Sequence, residues 1–558
     1  MKNIFFVLLL ASLSACHFGN EKVDMIVHNA VIHSMDIEGK TFDAMAIKEG
    51  VIVAIGPERE IMNQYDAPVI YDAGKKNIYP GLIDGHCHFL NYGITLQDAN
   101  LIGCSSESEM IERLVQYAPK RLSTWILGRG WDHNDWTNSD TDTISQIFPN
   151  NQVLDSLFPN DPVYLTRIDG HAALANSKAL ELAGINSNTN VKGGYVEVKN
   201  GRCTGILVDN AMELIENILP LRTPKEKELA LLQAQEVCFS YGLTTVDEAG
   251  LMHYDIALID SLQKSGKLKM RIYAMLSDHP ENYEIYLNKG IDTSNRLLNV
   301  RSFKFYADGA LGSRGACLLT PYDDIFRQTG IKQYGLLLES PEELLRKAIL
   351  LERAGFQMNT HAIGDSAVRV VFEVYKKVLG GINDKRWRME HAQVVSEKDM
   401  LCFRELGVIP SVQPTHATSD MSWAWQRLGR NRVIRAYRYR ELMEQNGLVA
   451  LGTDFPVEDI SPFATYYSSV FRKAIASRAD SDTSYYKDQA LSPMQAMYGM
   501  TIWNAVANFE DHYKGTLEVG KVADFIVLDR DILKCGEAQL REIKCMMTVL
   551  NGEIVYRR

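Results

Sequence analysis

His86 and His88 flank a single cysteine in the run Pro80-Gly81-Leu82-Ile83-Asp84-Gly85-His86-Cys87-His88. Successive side chains of a strand point to opposite faces, so imidazoles at i and i+2 share a side and can hold one ion together. Taken alone, a His-x-His pair is a weak sign. Its weight rises because His361, His391 and Asp454 each close a later apolar run, and together they offer nitrogen and oxygen donors suited to zinc or a similar divalent ion. The chemistry such a set supports is metal-assisted hydrolysis, in which water with a pKa near 15.7 is acidified towards about 7 and hydroxide becomes available at working pH.

The elements that would position these side chains are legible as alternation. Apolar, strand-like runs at 78–85, 300–303, 356–360, 386–390 and 448–453 end at His86, Lys304, His361, His391 and Asp454. Amphipathic stretches such as 225–241 and 341–354 lie between them. Alternation of this kind predicts parallel βα units and an α/β fold, a (β/α)₈ TIM barrel over 80–504, whose strands present their carboxyl ends on one face. The distance from His88 to Lys304 is too long for plain βα repeats, which places an insertion at about 101–221. Short strand-like runs at 24–31, 44–48 and 51–55, and again at 523–528, 547–550 and 553–556, read as one small β-sandwich built from both chain ends, 23–79 and 505–558.

Four segments carry a family resemblance: the run ending His86-Cys87-His88, Asn359-Thr360-His361-Ala362-Ile363-Gly364-Asp365, Glu390-His391-Ala392-Gln393, and Gly452-Thr453-Asp454-Phe455-Pro456. Gly130-Trp131, Arg167-Ile168-Asp169-Gly170-His171, Lys304-Phe305-Tyr306-Ala307-Asp308-Gly309, Gln413-Pro414-Thr415-His416 and the stretch 515–524 extend it. In these segments the chain resembles the amidohydrolase superfamily, within it the amidohydrolase-3 branch that includes N-substituted formamide deformylases. The resemblance implies two zinc ions, the more buried on His86 and His88 and the more exposed on His361 and His391. It also implies a carboxylated Lys304 bridging both. The alternative for Lys304 is a plain ammonium paired with an acid such as Asp308.

Asp454 would bind the buried ion and accept a proton from the attacking water, passing it to the leaving nitrogen. His171 and His416 are candidates to hydrogen-bond the developing oxyanion, where one donor is worth roughly 3 kcal/mol, or are structural histidines. Trp131, Asp308 and Arg314 are the candidates for substrate contact. Trp131 would wall the pocket or simply pack, and Arg314 would hold an anionic group or form an ion pair. The implied function is hydrolysis of a C–N bond in an amide- or formamide-like small molecule. The alternatives are a deaminase or esterase on the same scaffold, or a non-catalytic, lipid-anchored binding or regulatory protein. One departure stands out: relatives often carry a His-Asp pair where this chain has Asp247-Glu248.

Composition narrows the field further. With 558 residues, 46% of them hydrophobic and 23% charged, the chain can fill a large core, and its net charge of −11 has no run of Lys and Arg to track phosphates, which excludes nucleic acid as a partner. Lys2, an apolar run over 4–10 and Leu13-Ser14-Ala15-Cys16 read as a signal peptide over 1–15, because about seven apolar residues cannot span a hydrocarbon core that needs roughly 20. Leu-Ser-Ala-Cys resembles a bacterial lipobox. It implies export, lipidation of Cys16, a tether over 16–22 and anchoring to a membrane of the cell envelope, against a plain export signal with an incidental cysteine. The other cysteines show no paired spacing, and a homo-oligomer stays open.

Overall fold

The computed structural model describes residues 20–133, 136, 148–168, 170, 172–191, 194–475 and 484–558. Its centre is one eight-stranded sheet: β1 (Leu82–Cys87), β2 (Leu243–Leu251), β3 (Arg271–Ser277), β4 (Leu298–Tyr306), β5 (Gln357–Ala362), β6 (Arg388–His391), β7 (Ile409–Val412) and β8 (Ala450–Leu451). The strands lie in sequence order and every neighbouring pair is parallel. Parallel strands need crossover connections, which the intervening helices supply. Pro341–Ala354 is one of them. It is capped by Ser340 onto the Glu343 N–H, opens with proline and ends at Gly355, which adopts the left-handed conformation that favours glycine. Pro224–Ser240 starts with a full capping box between Thr223 and Glu226.

The sheet is nearly closed. Past the end of β8, the Asp454 N–H donates to the His86 carbonyl at 2.8 Å, and the His88 N–H donates to the Phe455 carbonyl at 2.8 Å. Gly452 makes this approach feasible, since a Cβ there would stand 2.5 Å from the His86 nitrogen. The result is the α/β architecture of a TIM barrel. One run differs from its sequence reading: 78–85 is two strands, because Asn77–Pro80 pairs antiparallel with Phe525–Leu528 and only Leu82–Cys87 enters the barrel. Gly81 is the switch point, with its N–H donating to Asp524 while Leu82 donates to Gly242 of the barrel side.

Two further sheets contain strands from the chain ends. One orders Glu553–Arg557, Cys545–Leu550, Phe525–Leu528, Asn77–Pro80, Val31–His33 and Thr41–Phe42; the other orders Val51–Gly56, Ala44–Lys48, Met25–His28 and Val69–Asp72. Val27, Ile32, Met45, Ile78, Phe525, Val527 and Val549 belong to one shared apolar cluster. Between β1 and β2 the chain builds another six-stranded sheet, running from Ala99–Asn100 to Arg202–Asp209 in sequence. Period-two alternation gives that sheet two apolar faces, Ile126, Leu165 and Ile206 on one and Leu127, Tyr164 and Leu207 on the other. All the described cysteines are free thiols, and no described helix is long and apolar enough to cross a membrane.

Candidate metal centre

Side chains from β1, β4, β5 and β6 and from the segment after β8 meet at the carboxyl ends of the strands. His86, His391 and Asp454 are buried and offer donor atoms that all lie within 4.8 Å of one another. The His361 ring stands 4.5 Å from that of His391, and the His88 ring 5.8 Å from that of His86. His88 Nε2 is 3.2 Å from Asp454 Oδ1, and Lys304 Nζ is 3.3 Å from His86 Nε2. Residues from 86 to 454 in the sequence thus share one small volume. Two of them carry backbone strain: His391 at φ 71° and Asp454 at φ 62° occupy the left-handed region, which costs a non-glycine residue of order 1–3 kcal/mol and collects at functional sites.

The donor set fits a divalent cation. Burial, with Lys304 adding to it, pushes His86 down to about 4 and His361 down to about 3, and burial also lowers His391. All three are therefore neutral imidazoles near pH 7, the form that can donate a lone pair. Burial alone would raise Asp454, but the hydrogen bond from His416 and the closeness of His88 outweigh it and hold the carboxylate ionised. His361 Nε2 and Asp454 Oδ1 are buried without an aligned hydrogen-bond partner. An atom left in that condition costs about 1–3 kcal/mol unless something binds it.

Partners behind the donors fix their orientation. His86 Nδ1 lies 2.6 Å from Glu390 Oε2 and His391 Nδ1 lies 2.8 Å from Gln413 Oε1, which leaves the Nε2 atoms for the centre. Asp84 Oδ1 accepts from the His86 and Thr453 N–H groups and Oδ2 from the Thr453 hydroxyl, so one carboxylate ties β1 to the chain just before Asp454. His416 bridges two acids, with Nε2 3.1 Å from Asp454 Oδ2 and Nδ1 3.1 Å from Glu458 Oε1. Burial would lower His416, and those two hydrogen bonds overcome it and raise its pKa well above the ordinary imidazole range.

Not every residue singled out in the sequence faces this volume. Asp308 does not pair with Lys304: its oxygens accept from the backbone N–H groups of Ile363, Gly364 and Cys317, and Oδ1 lies 3.6 Å from His361 Nε2. It braces the loop after β5. Arg314 is held by Asp324 at 2.7 Å, an acid that also takes Arg427, so it forms an ion pair. Trp131 is fully buried in the core of the inserted sheet, with its indole N–H donated to the Leu165 carbonyl at 2.8 Å, and it packs there instead of walling a pocket. His171 and Cys16 lie outside the described residues.

Sequence pattern alone leaves Glu390, Gln413, Glu458 and Asp84 without a role, and the structure makes them the partners behind the donors. The Asp247-Glu248 departure has structural work. Asp247 pairs with Arg388 at 2.9 Å, and Glu248 accepts the N–H groups of Phe89 and Leu90 at the start of the helix that follows His88.

A nearly closed parallel barrel with this donor set at its strand ends defines the class, a metal-dependent hydrolase. The chain belongs to the amidohydrolase family, whose model matches residues 69–556. Protein LONG AFTER FAR-RED 3 of Arabidopsis thaliana is 31% identical over 526 residues, covering 90% of this chain and 87% of that one. N-substituted formamide deformylase of Arthrobacter pascens is 25% identical over 563 residues, covering 96% and 98%. The crystal structure of an uncharacterized metal-dependent hydrolase from Pyrococcus horikoshii OT3 superposes with a TM-score of 0.75 at 27% identity, covering 92% of this chain and 99% of that one.

Proposed function

We propose that this hydrolase cleaves a C–N bond of an amide- or formamide-like small molecule, with Asp454 moving the proton. The observation that carries the reading is the convergence of His86, His391 and Asp454 within 4.8 Å, with His361, His88 and Lys304 against them. His86, His88, His361, His391 and Asp454 would hold two zinc ions, and Lys304, as a carbamate, would join them. Divalent metal supplies Lewis acidity there, polarising a substrate oxygen and bringing the pKa of water towards about 7.

The protein's own part is orientation and proton transfer. Asp454 Oδ1 turns towards the imidazoles while Oδ2 is held by His416, so Oδ1 is the oxygen that would take the proton of the attacking water and return it to the leaving nitrogen. His416 spends both ring N–H groups on Asp454 and Glu458, so its part would be to hold Asp454 Oδ2 in place and to set positive charge near the carbonyl oxygen as negative charge develops there. His171 is the candidate for direct hydrogen bonding to that oxygen in this reading.

Support for the formamide class comes from the Arthrobacter relative, which covers nearly the whole chain. The test is a substrate screen on zinc- and manganese-loaded protein, scored for formate, ammonia and carboxylate release. Formate from N-substituted formamides is the expected result. Ammonia release alone would move the assignment to a deaminase, ester cleavage alone to an esterase, and no turnover of any class would overturn the catalytic reading.

The leader supports a further element of the proposal, export and lipid anchoring at Cys16, on the strength of Leu13-Ser14-Ala15-Cys16 after its apolar run. Membrane fractionation of the full chain, with palmitate labelling lost in Cys16→Ser, is the corresponding experiment. A wild-type chain that is neither labelled nor sedimented with membranes would contradict it.

A further inference from the structure

Beneath the histidines lies a charged group that the reaction itself does not use. Arg388, at the start of β6, is fully buried, and its guanidinium reaches four strands from inside the barrel. Nε donates to Glu390 Oε1 at 2.7 Å and Nη1 to Asp247 Oδ2 on β2 at 2.9 Å, while Nη2 donates to Ser411 Oγ on β7 at 2.9 Å and to the Gly85 carbonyl on β1. Glu390 spends its second oxygen on His86 Nδ1 at 2.6 Å. The Arg388–Glu390 contact is a fully buried ion pair, so the carboxylate that faces His86 is itself held by a guanidinium.

The other histidine of the compact cluster is backed differently. His391 Nδ1 meets the neutral amide oxygen of Gln413 at 2.8 Å. An imidazole that gives its N–H to an ionised carboxylate gains electron density at the opposite nitrogen and is locked in one tautomer. A neutral amide locks the tautomer with much less of the electronic effect. The two halves of the centre are therefore unequal donors.

We infer that Arg388 and Glu390 are positioning residues for His86, an ion-paired support that makes the His86 half of the centre bind divalent metal more tightly than the His391 half. This rests on the reading that the histidine cluster holds metal. A rival account has Arg388 only as a clamp between strands, because a buried ion pair also costs several kcal/mol per ion to dehydrate and breaking it destabilises any fold that contains it.

Titration of the metal-stripped full chain with Co²⁺, followed by its visible absorption and by calorimetry, separates the two accounts. Wild-type protein should take up cobalt in two steps of unequal affinity. Glu390→Gln keeps the shape and removes the charge, and should weaken the tighter step by about 10–100-fold and alter its absorption band while leaving the weaker step in place. Gln413→Leu should affect only the weaker step. Asp247→Asn disturbs Arg388 from its far side, and should lower the melting temperature while both binding constants stay within about threefold of wild type.

If Glu390→Gln does not fold, Arg388→Lys carries the test. It keeps a charge but loses the fork, and its tighter step should still be weakened. Unchanged cobalt binding in Glu390→Gln would overturn the inference, as would equal weakening of both steps in Glu390→Gln and Asp247→Asn in proportion to lost stability. A wild-type chain that binds no cobalt would instead overturn the metal reading on which it stands.

Discussion

The barrel and the inserted sheet solve the same packing problem with different interiors. The insert buries Trp131, Ile126, Leu165 and Ile206 on one face and Leu127, Tyr164 and Leu207 on the other, and none of its described Asp, Glu, Lys or Arg residues is buried. The barrel buries Asp84, Asp247, Glu248, Lys304, Arg388 and Glu390 to 3% exposure or less. Dehydrating those groups is unfavourable unless each is paired and hydrogen-bonded, and an apolar core of equal volume would be at least as stable. The contrast separates the part of the chain that needs only to fold from the part that must hold several donors in one geometry.

That contrast can be broken at either end. The largest effect belongs to Asp454→Asn, which keeps the volume and abolishes the proton acceptor: kcat should fall by about 10²–10⁴-fold, up to roughly 5.5 kcal/mol of barrier, with much of the metal retained. Steady-state kinetics alongside metal analysis checks this, and a near-normal rate would refute the assigned role. Trp131→Ala should act in the opposite register. It should cost about 3–5 kcal/mol of stability in denaturant melts while metal content per folded chain stays at the wild-type level. Loss of metal at preserved stability in that variant would mean the insert shapes the centre directly.

Asp84→Asn sharpens the comparison through pH. Burial raises Asp84 to about 7, above its ordinary carboxylate value. The folded state therefore holds that proton more tightly than the unfolded chain, and wild-type stability declines as pH rises from about 4 to about 7. An amide can keep its oxygen towards the His86 and Thr453 N–H groups and donate to the Thr453 hydroxyl. The variant should therefore differ from wild type by no more than about 1–2 kcal/mol and show a flatter curve over that window. Parallel curves for the two proteins would contradict the assignment. The smallest effect is expected at the surface, where Arg327 pairs with Asp323 at 69% side-chain exposure. Arg327→Ala should shift stability by less than about 1 kcal/mol and leave metal uptake alone.

How far the sequence anticipated this arrangement depends on whether a residue acts at a strand end or through a distant partner. His86, Lys304, His361, His391 and Asp454 were legible because each closes an apolar run, and a parallel barrel brings such ends together. The parallel strands and the helix Pro341–Ala354 followed from the same alternation. Asp84, Gln413 and Glu458 were not legible as supports, since their partners lie 369, 22 and 42 residues away and are set by barrel closure and loop packing. A signal did exist for the buried ion pair. In Arg386-Trp387-Arg388-Met389-Glu390-His391 the charged residues alternate with the apolar ones, so Arg388 and Glu390 must share a strand face. Trp131 shows the converse: in the sequence a tryptophan in the insert could wall a pocket or simply pack, and the pairing of Ile126–Trp131 with Val163–Arg167 accounts for its burial.

The central claim is that side chains from β1, β5, β6 and the segment after β8 cage divalent cations. The most direct measurement is a crystal structure of zinc-loaded protein with anomalous scattering at the zinc edge. The account predicts peaks about 2.0–2.2 Å from nitrogens of His86, His361 and His391 and from an oxygen of Asp454, with extra density continuing from Lys304 Nζ. Stoichiometric zinc bound elsewhere, with no anomalous peak among these four side chains, would contradict it.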